Sequence, residues 1–297
     1  MNIVVLGPGA IGALWASHLK SSGHNVSLWG RSSTEQTVIQ LDDSPEQSFP
    51  NQNAQALHEA DLLLVTVKVW QVKSAFTPLL SSISKDCIIV FMHNGMGAVD
   101  ELKAELSPFP VLLATTTHGA LKTSSSKVSH TGKGATQIGP YNAQGARCEF
   151  ITEVLNHSLP SVQWNSDIEK ALWQKLAINC AINPLTAIEQ CNNGQLAESR
   201  YQASLAAVIQ EVTSVIQAEE ITLSYDELHK TVAVVIEATK TNYSSMRQDI
   251  FYQRKSEIDF ITGYLLKTAK RHHINTPEND KLYQAIKQIE SSWINHD

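Results

Sequence analysis

The chain has 297 residues, of which 42% are apolar and 18% charged, and its formal net charge at pH 7 is −6. This length allows two ordinary domains with separate cores, and the composition is that of a folded globular protein. The acidic balance, with no long basic run, argues against nucleic acid and anionic membranes as partners. No apolar stretch reaches the roughly 18 residues needed to cross a bilayer.

The N-terminus and the cysteines indicate a cellular compartment. Met1 leads directly into a strand pattern, without the basic segment of a signal peptide. The cysteines form no CxxC pair and lie in or near apolar runs, which indicates reduced, buried thiols in a cytoplasmic protein. Clustered Cys and His at ligand spacing are missing from the sequence, so no metal site is expected. The cysteines are Cys87, Cys148, Cys180 and Cys191.

The first half of the chain alternates short apolar runs with amphipathic segments. Continuous apolar strands joined by helices predict a parallel sheet that is covered on both faces. The predicted strands are 2–6, 25–29, 62–67, 87–92 and 111–117. The predicted helices between them lie near 10–22, 70–80 and 97–106.

Other segments of this half have a less regular pattern. Residues 33–54 are polar and contain proline, which predicts a loop or an irregular crossover. Residues 120–140 alternate in polarity between glycines, which is typical of β-hairpins. A helix near 146–157 and a strand at 161–164 are expected to complete the sheet.

The pattern changes after Trp164, where helical periodicity replaces strands. Ser166 with Glu169 predicts a capping box and a helix that runs to about Ile182. We therefore expect an α/β fold with an N-terminal Rossmann-type, doubly wound parallel sheet at 1–165 and a C-terminal all-α domain at 166–297. Further helix starts are predicted at Ser224 with Glu227, at Ser245 with Gln248, and at Thr276 followed by Pro277.

A glycine-rich motif, GPGAIG, follows the first strand and opens the first helix. In this GxGxxG spacing, Gly7 permits a tight turn, Gly9 lets the backbone approach a pyrophosphate, and Gly12 lets helix and strand pack closely. The helix N-terminus would present N–H groups and the positive end of its dipole to that anion. The motif predicts a dinucleotide site, against the alternative of a glycine turn without a ligand. Its residues are Gly7, Pro8, Gly9, Ala10, Ile11 and Gly12.

The end of the second strand indicates which nicotinamide cofactor fits. An NAD site usually places Asp or Glu there to hold the ribose 2′-hydroxyl. This chain has Gly30 followed by Arg31, and a 2′-phosphate needs such a cation. The sequence therefore favours NADP(H), although a solvated loop arginine remains the alternative for Arg31.

Two more polar residues follow predicted strands at the edge where ligands of open α/β sheets bind. Lys68 comes after LLLVTV, and its ammonium could reach a cofactor phosphate or ribose. Asn94 lies in HNGMG after CIIVFM, where the glycines allow it to face a cleft. The alternatives are a surface lysine and a turn-forming asparagine.

The segment KLAINCAINPLTA carries a narrow polar stripe. Lys175, Asn179 and Asn183 recur every four residues among apolar neighbours, so they share one face of a helix. A partly buried lysine can donate a proton to a developing alkoxide, and the asparagines can orient a carbonyl or carboxylate. The alternative is a lysine that reaches the surface and amides bonded to local backbone. Pro184 is expected to end the regular hydrogen bonding.

A second set of polar residues lies in SSMRQDIFYQRKSEID. A continuous helix would place Ser245, Asp249, Gln253 and Glu257 on one face. The alternative reading makes Ser245 only a helix cap and Glu257 only an exposed acid.

Taken in order and spacing, these segments resemble ketopantoate reductase over essentially the whole chain. Residues 32–54 match nothing in that pattern, and Pro8 occupies a variable position of the glycine loop. The matching pieces are GPGAIG (7–12), Arg31, VKVWQV (67–72), HNGMG (93–97), KLAINCAINPLTAI (175–188) and SSMRQDIFYQRKSEID (244–259).

The resemblance implies NADPH-dependent reduction of 2-dehydropantoate to (R)-pantoate, in the pathway to pantothenate and coenzyme A. It also implies a Rossmann domain, a helical domain and an active site in the cleft between them, in a monomer or homodimer. Lys175 would be the general acid, and Glu257 would position substrate and be essential for turnover. Substrate contacts would be Asn94, Asn179, Asn183 and Ser245, and cofactor contacts would be the glycine loop, Arg31, Lys68 and Asn94.

Two alternatives stay open at this point. The same site could reduce another branched 2-oxo acid, since relatives of this fold act on such substrates. A non-catalytic sensor of NADPH would keep the glycine loop, but it would not need Lys175, Asn179 and Glu257 together.

Overall fold

A computed structural model describes residues 1–293. These residues divide into two compact units, one formed by 1–93 and 98–168 and the other by 94–97 and 169–293. The short segment Asn94–Gly97 thus belongs with the helical part of the chain.

The strands and helices account for most of the chain. The strands are β1 Asn2–Leu6, β2 Asn25–Trp29, β3 Gln36–Leu41, β4 Gln47–Pro50, β5 Leu62–Val65, β6 Ile88–Met92, β7 Val111–Thr116, β8 Gly119–Lys122, β9 Lys127–Gly132, β10 Thr136–Pro140 and β11 Val162–Trp164. The helices are α1 Ala10–Ser21, α2 Ala54–His58, α3 Val72–Phe76, α4 Lys103–Leu106, α5 Ile151–Ser158, α6 Ile168–Glu189, α7 Ser199–Ala218, α8 Tyr225–Ala238, α9 Ser245–Phe251, α10 Thr262–Arg271 and α11 Pro277–Ser292.

The first unit is built on a seven-stranded sheet in the order β11-β10-β7-β6-β5-β1-β2. Neighbouring strands of this sheet run parallel to each other, with the exception of β10 and β7, which run antiparallel. Every residue of β5 and β6 is buried, which explains their unbroken apolar sequences. The mostly parallel sheet with flanking helices confirms the predicted Rossmann-type fold.

Residues 33–54 differ from the loop or irregular crossover predicted for them. They form β3 and β4, which pair antiparallel, and β3 also pairs in parallel with β9. A second sheet results, in the order β4-β3-β9-β8. The pairing of β3 with β9 joins residues far apart in sequence, so local polarity could not reveal it.

The second unit is helical, and each of the helices α6 to α11 contributes to its core. The predicted capping box of α8 is confirmed, because the Ser224 hydroxyl accepts from the Glu227 N–H and the Glu227 carboxylate accepts from the Ser224 N–H. Pro277 is the first residue of α11, as predicted, but the Thr276 side chain makes no capping bond.

Helix α6 is longer than the sequence predicted. It begins at Ile168 and continues through Pro184 to Glu189, rather than ending near Ile182. Proline removes one backbone N–H from the helical ladder. Core residues on both sides, among them Ala181 and Leu185, are buried, and this packing holds the helix across the proline.

Three further properties of the described residues concern membranes, the cysteines and the short helices. Within residues 1–293, no helix combines the length and the apolar character needed to span a membrane. All four cysteines are buried, unpaired thiols. The segments predicted as helices near 70–80 and 97–106 are broken into short α- and 3₁₀-helical turns.

Candidate active site

The glycine loop of the first unit adopts the tight turn that its sequence predicts. Gly7 has a φ of 88°, a left-handed conformation that L side chains rarely adopt. Its N–H donates to Trp29 O at 3.0 Å, which joins the loop to the end of β2. A Cβ on Gly7 would lie 2.4 Å from Val67 Cγ1, so the segment after β5 packs directly against the loop.

The other two glycines show that the loop suits a dinucleotide. A Cβ on Gly12 would lie 2.4 Å from both Gly7 O and Thr66 Oγ1, so only glycine permits this close packing. A Cβ on Gly9 would meet only Gly7 O, at 4.0 Å, so the space in front of Gly9 is open. Gly9 is also the N-cap of α1, and neither a side-chain cap nor an acidic residue occupies the first turn. This open, uncapped helix start fits a pyrophosphate.

Arg31 and Lys68 follow strands that are neighbours of β1. Because β2, β1 and β5 run parallel, their carboxyl ends lie along one edge of the sheet. Arg31 is exposed in the loop after β2, and Lys68 is half-buried just after Val67. The first unit thus brings the glycine loop, Arg31 and Lys68 to a single edge.

In the second unit, Lys175, Asn179 and Asn183 lie on α6 as the predicted stripe. Asn183 is buried, and Asn179 and Lys175 are half-buried. Burial lowers the pKa of Lys175 to about 8, and the nearby Glu257 carboxylate opposes that shift. A lysine with this pKa holds its proton at neutral pH and releases it more readily than an ordinary lysine.

Glu257 is only 4% exposed, so it is not the exposed acid of the alternative reading. Its Oε2 accepts a hydrogen bond from Asn94 Nδ2 at 3.1 Å, although 163 residues separate the two in sequence. The segment around Asn94 is fixed by the Met96 N–H, which donates to Phe260 O at 2.8 Å. Gly95, with a φ of 81°, has no room for a side chain, because a Cβ would lie 2.5 Å from Phe260 O.

The predicted helical face from Ser245 to Glu257 is wrong beyond its first half. Helix α9 ends at Phe251, and Gln253 is exposed with a φ of 50°. Glu257 lies outside the helix and precedes a 3₁₀ turn at Ile258–Phe260. A left-handed residue after α9 redirects the chain, so Glu257 reaches its position through a loop rather than through helical periodicity.

The helix cap predicted at Ser245 is also wrong. Ser244 caps α9, because its hydroxyl accepts from the Arg247 N–H at 3.0 Å. Ser244 Oγ also lies 2.8 Å from Thr186 Oγ1 on α6. Ser245 is exposed, and it begins α9 beside the end of α6 that carries Asn183.

The loop that carries Glu257 is attached to α11 on both sides. Glu290 Oε1 accepts from the Ser256 N–H at 2.8 Å and from Ser256 Oγ at 2.7 Å. After Glu257, Asp259 accepts from Tyr283 Oη at 2.8 Å and pairs with Lys287 Nζ at 3.1 Å. Three residues of α11 thereby fix the loop, which limits how far the Glu257 carboxylate can move.

Nearly the whole chain matches known proteins. The model for "Ketopantoate reductase PanE/ApbA" matches residues 3–143, and the model for "Ketopantoate reductase PanE/ApbA C terminal" matches residues 167–290. A 2-dehydropantoate 2-reductase of Vibrio cholerae serotype O1 is 55% identical over 293 residues, which cover 99% of each chain. The chain belongs to the ketopantoate reductase family.

Solved structures show the same fold. A PanE/ApbA family ketopantoate reductase from Ralstonia eutropha superposes with a TM-score of 0.88 at 26% identity, and covers 98% of this chain and 99% of its own. A D-mandelate dehydrogenase solved with NADH and anilino(oxo)acetate has a TM-score of 0.89 at 22% identity, with the same coverage. At that identity the dehydrogenase is evidence for the fold alone.

The predicted site residues of this ketopantoate reductase family member fall into two groups, one in each unit. The glycine loop, Arg31 and Lys68 lie in the first unit, and the proposed substrate and acid–base residues lie in the second. Asn94 is in the second group, bonded to Glu257. Sequence reasoning missed the residues that support these groups. Asn51 and Gln52 bind the backbone of Gly30, next to Arg31, and Glu290 binds Ser256, next to Glu257. Polar side chains in loops and on helices carry no periodic signal that would have revealed them.

Proposed function

We propose that this chain reduces 2-dehydropantoate to (R)-pantoate with NADPH, as a 2-dehydropantoate 2-reductase of pantothenate and coenzyme A biosynthesis. The observation that carries the proposal is that a half-buried lysine, Lys175, lies within electrostatic reach of the buried carboxylate of Glu257, while burial lowers the pKa of the lysine to about 8. The full-length identity of 55% to a curated 2-dehydropantoate 2-reductase supports the substrate.

The reaction needs a hydride and a proton for the ketone of the substrate. NADPH supplies the hydride when it is bound. We assign its pyrophosphate to the residues Gly7 to Gly12, because α1 offers an uncapped N-terminus there, and its further contacts to Arg31, Lys68 and Asn94. Arg31 would pair with the 2′-phosphate, for which a guanidinium provides a planar, bidentate donor.

Lys175 is the proposed general acid. Its ammonium at a pKa of about 8 gives its proton to the alkoxide oxygen that forms on the ketone carbon. Glu257 is proposed to position the substrate hydroxyl group and to keep Lys175 protonated. Asn179, Asn183 and Ser245 would bind the carboxylate and hydroxyl groups of the substrate. Asn94 would contact the bound ligand while it donates its hydrogen bond to Glu257.

The test is the loss of NADPH absorbance with 2-dehydropantoate, compared with 2-oxoisovalerate and pyruvate at equal concentration. The proposal expects the highest kcat/KM for 2-dehydropantoate with NADPH. A higher kcat/KM for another branched 2-oxo acid would show that this acid is the preferred substrate of the site. Tight NADPH binding without oxidation by any of these acids would instead indicate a sensor.

The enzyme is further proposed to work in the cytoplasm as a monomer or homodimer. Four buried, unpaired thiols suit a reducing compartment. Sedimentation equilibrium of the purified protein decides the oligomeric state, and fractionation of the source cells decides the compartment.

A further inference from the structure

The loop that carries Arg31 is fixed by two neighbouring amide side chains. Asn51 is only 5% exposed, and its Oδ1 accepts from the Gly30 N–H at 2.9 Å. Its Nδ2 donates to Ser32 O at 2.8 Å and to Thr34 O at 2.9 Å. One buried amide therefore binds the backbone on both sides of Arg31.

Gln52 adds bonds to the same loop. Its Nε2 donates to Gly30 O at 2.7 Å and to Ser32 O at 3.0 Å. Its own N–H donates to Leu28 O at 3.0 Å, and its φ of 54° is a conformation that a non-glycine residue adopts only rarely. The two carbonyls that flank Arg31 are thus held by side chains and not by regular sheet pairing.

The loop is also held against the glycine loop. A Cβ on Gly30 would lie 3.1 Å from Pro8 Cγ and 3.5 Å from Asn51 Oδ1, so Gly30 fits between the two. Together with the bond from Gly7 N to Trp29 O, this contact fixes the backbone of Arg31 relative to the proposed pyrophosphate site.

We propose that Asn51, assisted by Gln52, is a positioning residue that holds Arg31 for the adenosine 2′-phosphate and so sets the preference for NADPH over NADH. The inference rests on the proposed cofactor role of Arg31. An exposed arginine on a mobile loop must be ordered when it binds a phosphate, which reduces the affinity gained. A loop fixed by Asn51 removes much of that cost, and only a nucleotide with the 2′-phosphate benefits.

The experiment measures nucleotide binding to the full chain by isothermal titration calorimetry. The probes are adenosine 2′,5′-bisphosphate, which has the phosphate, and NAD⁺, which lacks it. The proteins are wild type, Asn51→Ala, Arg31→Ala and the double variant. Asn51→Ala is expected to weaken bisphosphate binding about tenfold, which is the effect of losing one charge-assisted hydrogen bond between Arg31 and the phosphate. The same variant is expected to keep its NAD⁺ affinity within about twofold of wild type.

The double variant tests whether Asn51 acts through Arg31. If it does, the double variant binds the bisphosphate no more weakly than Arg31→Ala alone. Asn53→Ala is the matched control, because Asn53 Oδ1 caps α2 through the Ala56 N–H and makes no bond to the loop. That control should lower thermal stability and leave the ratio of the two affinities unchanged. If Asn51→Ala does not fold, Gln52→Ala removes two of the loop bonds from an exposed side chain and is used instead.

Three results overturn the inference: equal loss of affinity for both probes, additive losses in the double variant, or an Arg31→Ala variant that binds the bisphosphate as tightly as wild type. None of these depends on turnover. Inactivity toward 2-dehydropantoate combined with the expected binding pattern would contradict the proposed function and leave the role of Asn51 standing.

Discussion

The glycine loop and the Lys175–Glu257 pair are built in different ways. The loop presents backbone: it depends on a positive φ at Gly7, close packing at Gly12 and open space at Gly9. The pair depends on side chains, with an ammonium whose pKa is lowered to about 8 and a carboxylate that accepts from Asn94. A backbone site fails when atoms are added to it, whereas a side-chain site fails when atoms are removed.

The largest effect is expected at Lys175. Lys175→Ala should lower kcat by about 10²–10⁴, since the proton donor to the alkoxide is lost. Lys175→Arg keeps the charge but releases its proton far less readily, so substrate binding should recover more than kcat does. Steady-state kinetics of both variants measure these effects. Near-wild-type turnover of Lys175→Ala would show that Lys175 is not the proton donor.

The glycine loop should separate cofactor binding from stability. Gly9→Ala adds a methyl group to open space, so we expect an unchanged Tm and a loss of NADPH affinity of more than about tenfold. Gly12→Ala forces a Cβ against Gly7 O and Thr66 Oγ1, so we expect a lower Tm as well. Thermal melts and fluorescence titration with NADPH measure the two effects. If Gly9→Ala binds NADPH with normal affinity, the pyrophosphate does not bind in front of Gly9.

The pH dependence of kcat tests the electrostatic coupling between Lys175 and Glu257. The protonated form of Lys175 is the acid, so kcat for reduction should fall as pH rises through about 8. The Glu257 carboxylate raises the pKa of Lys175, so Glu257→Gln should move this decline to lower pH in addition to lowering kcat. Profiles of kcat at saturating substrate provide the measurement. A decline that stays at the same pH in Glu257→Gln would show that the two groups are not coupled.

The smallest effect is expected in the loop that supports Glu257. Glu290→Ala leaves the Ser256 N–H and hydroxyl without their acceptor, so we expect a loss of about 1–3 kcal/mol in the free energy of unfolding. Glu237→Ala, which removes an exposed carboxylate paired with Lys240, should cause no measurable change. Urea titrations compare the two, and equal stabilities would mean that the Ser256–Glu290 bonds do not stabilise the loop.

Much of the first unit followed from local sequence. The strands β1, β2, β5, β6 and β7 lie within one or two residues of their predicted bounds, because buried parallel strands are continuous apolar runs. The glycine loop could be predicted for a similar reason, since its turn and its helix start depend on residues only a few positions apart. The polar stripe on α6 also follows from a fixed helical period.

The remaining features depend on contacts between residues far apart in sequence. The pairing of β3 with β9, the bond from Asn94 to Glu257 and the attachment of Ser256 to Glu290 join segments with no shared local pattern. The continuation of α6 past Pro184 likewise depends on burial that only the packed core supplies. Sequence periodicity by itself determined the main sheet, the glycine loop and the stripe that carries Lys175. Only the tertiary structure decided which carboxylate lies beside that lysine, because a loop of irregular backbone, and not a helix, brings Glu257 there.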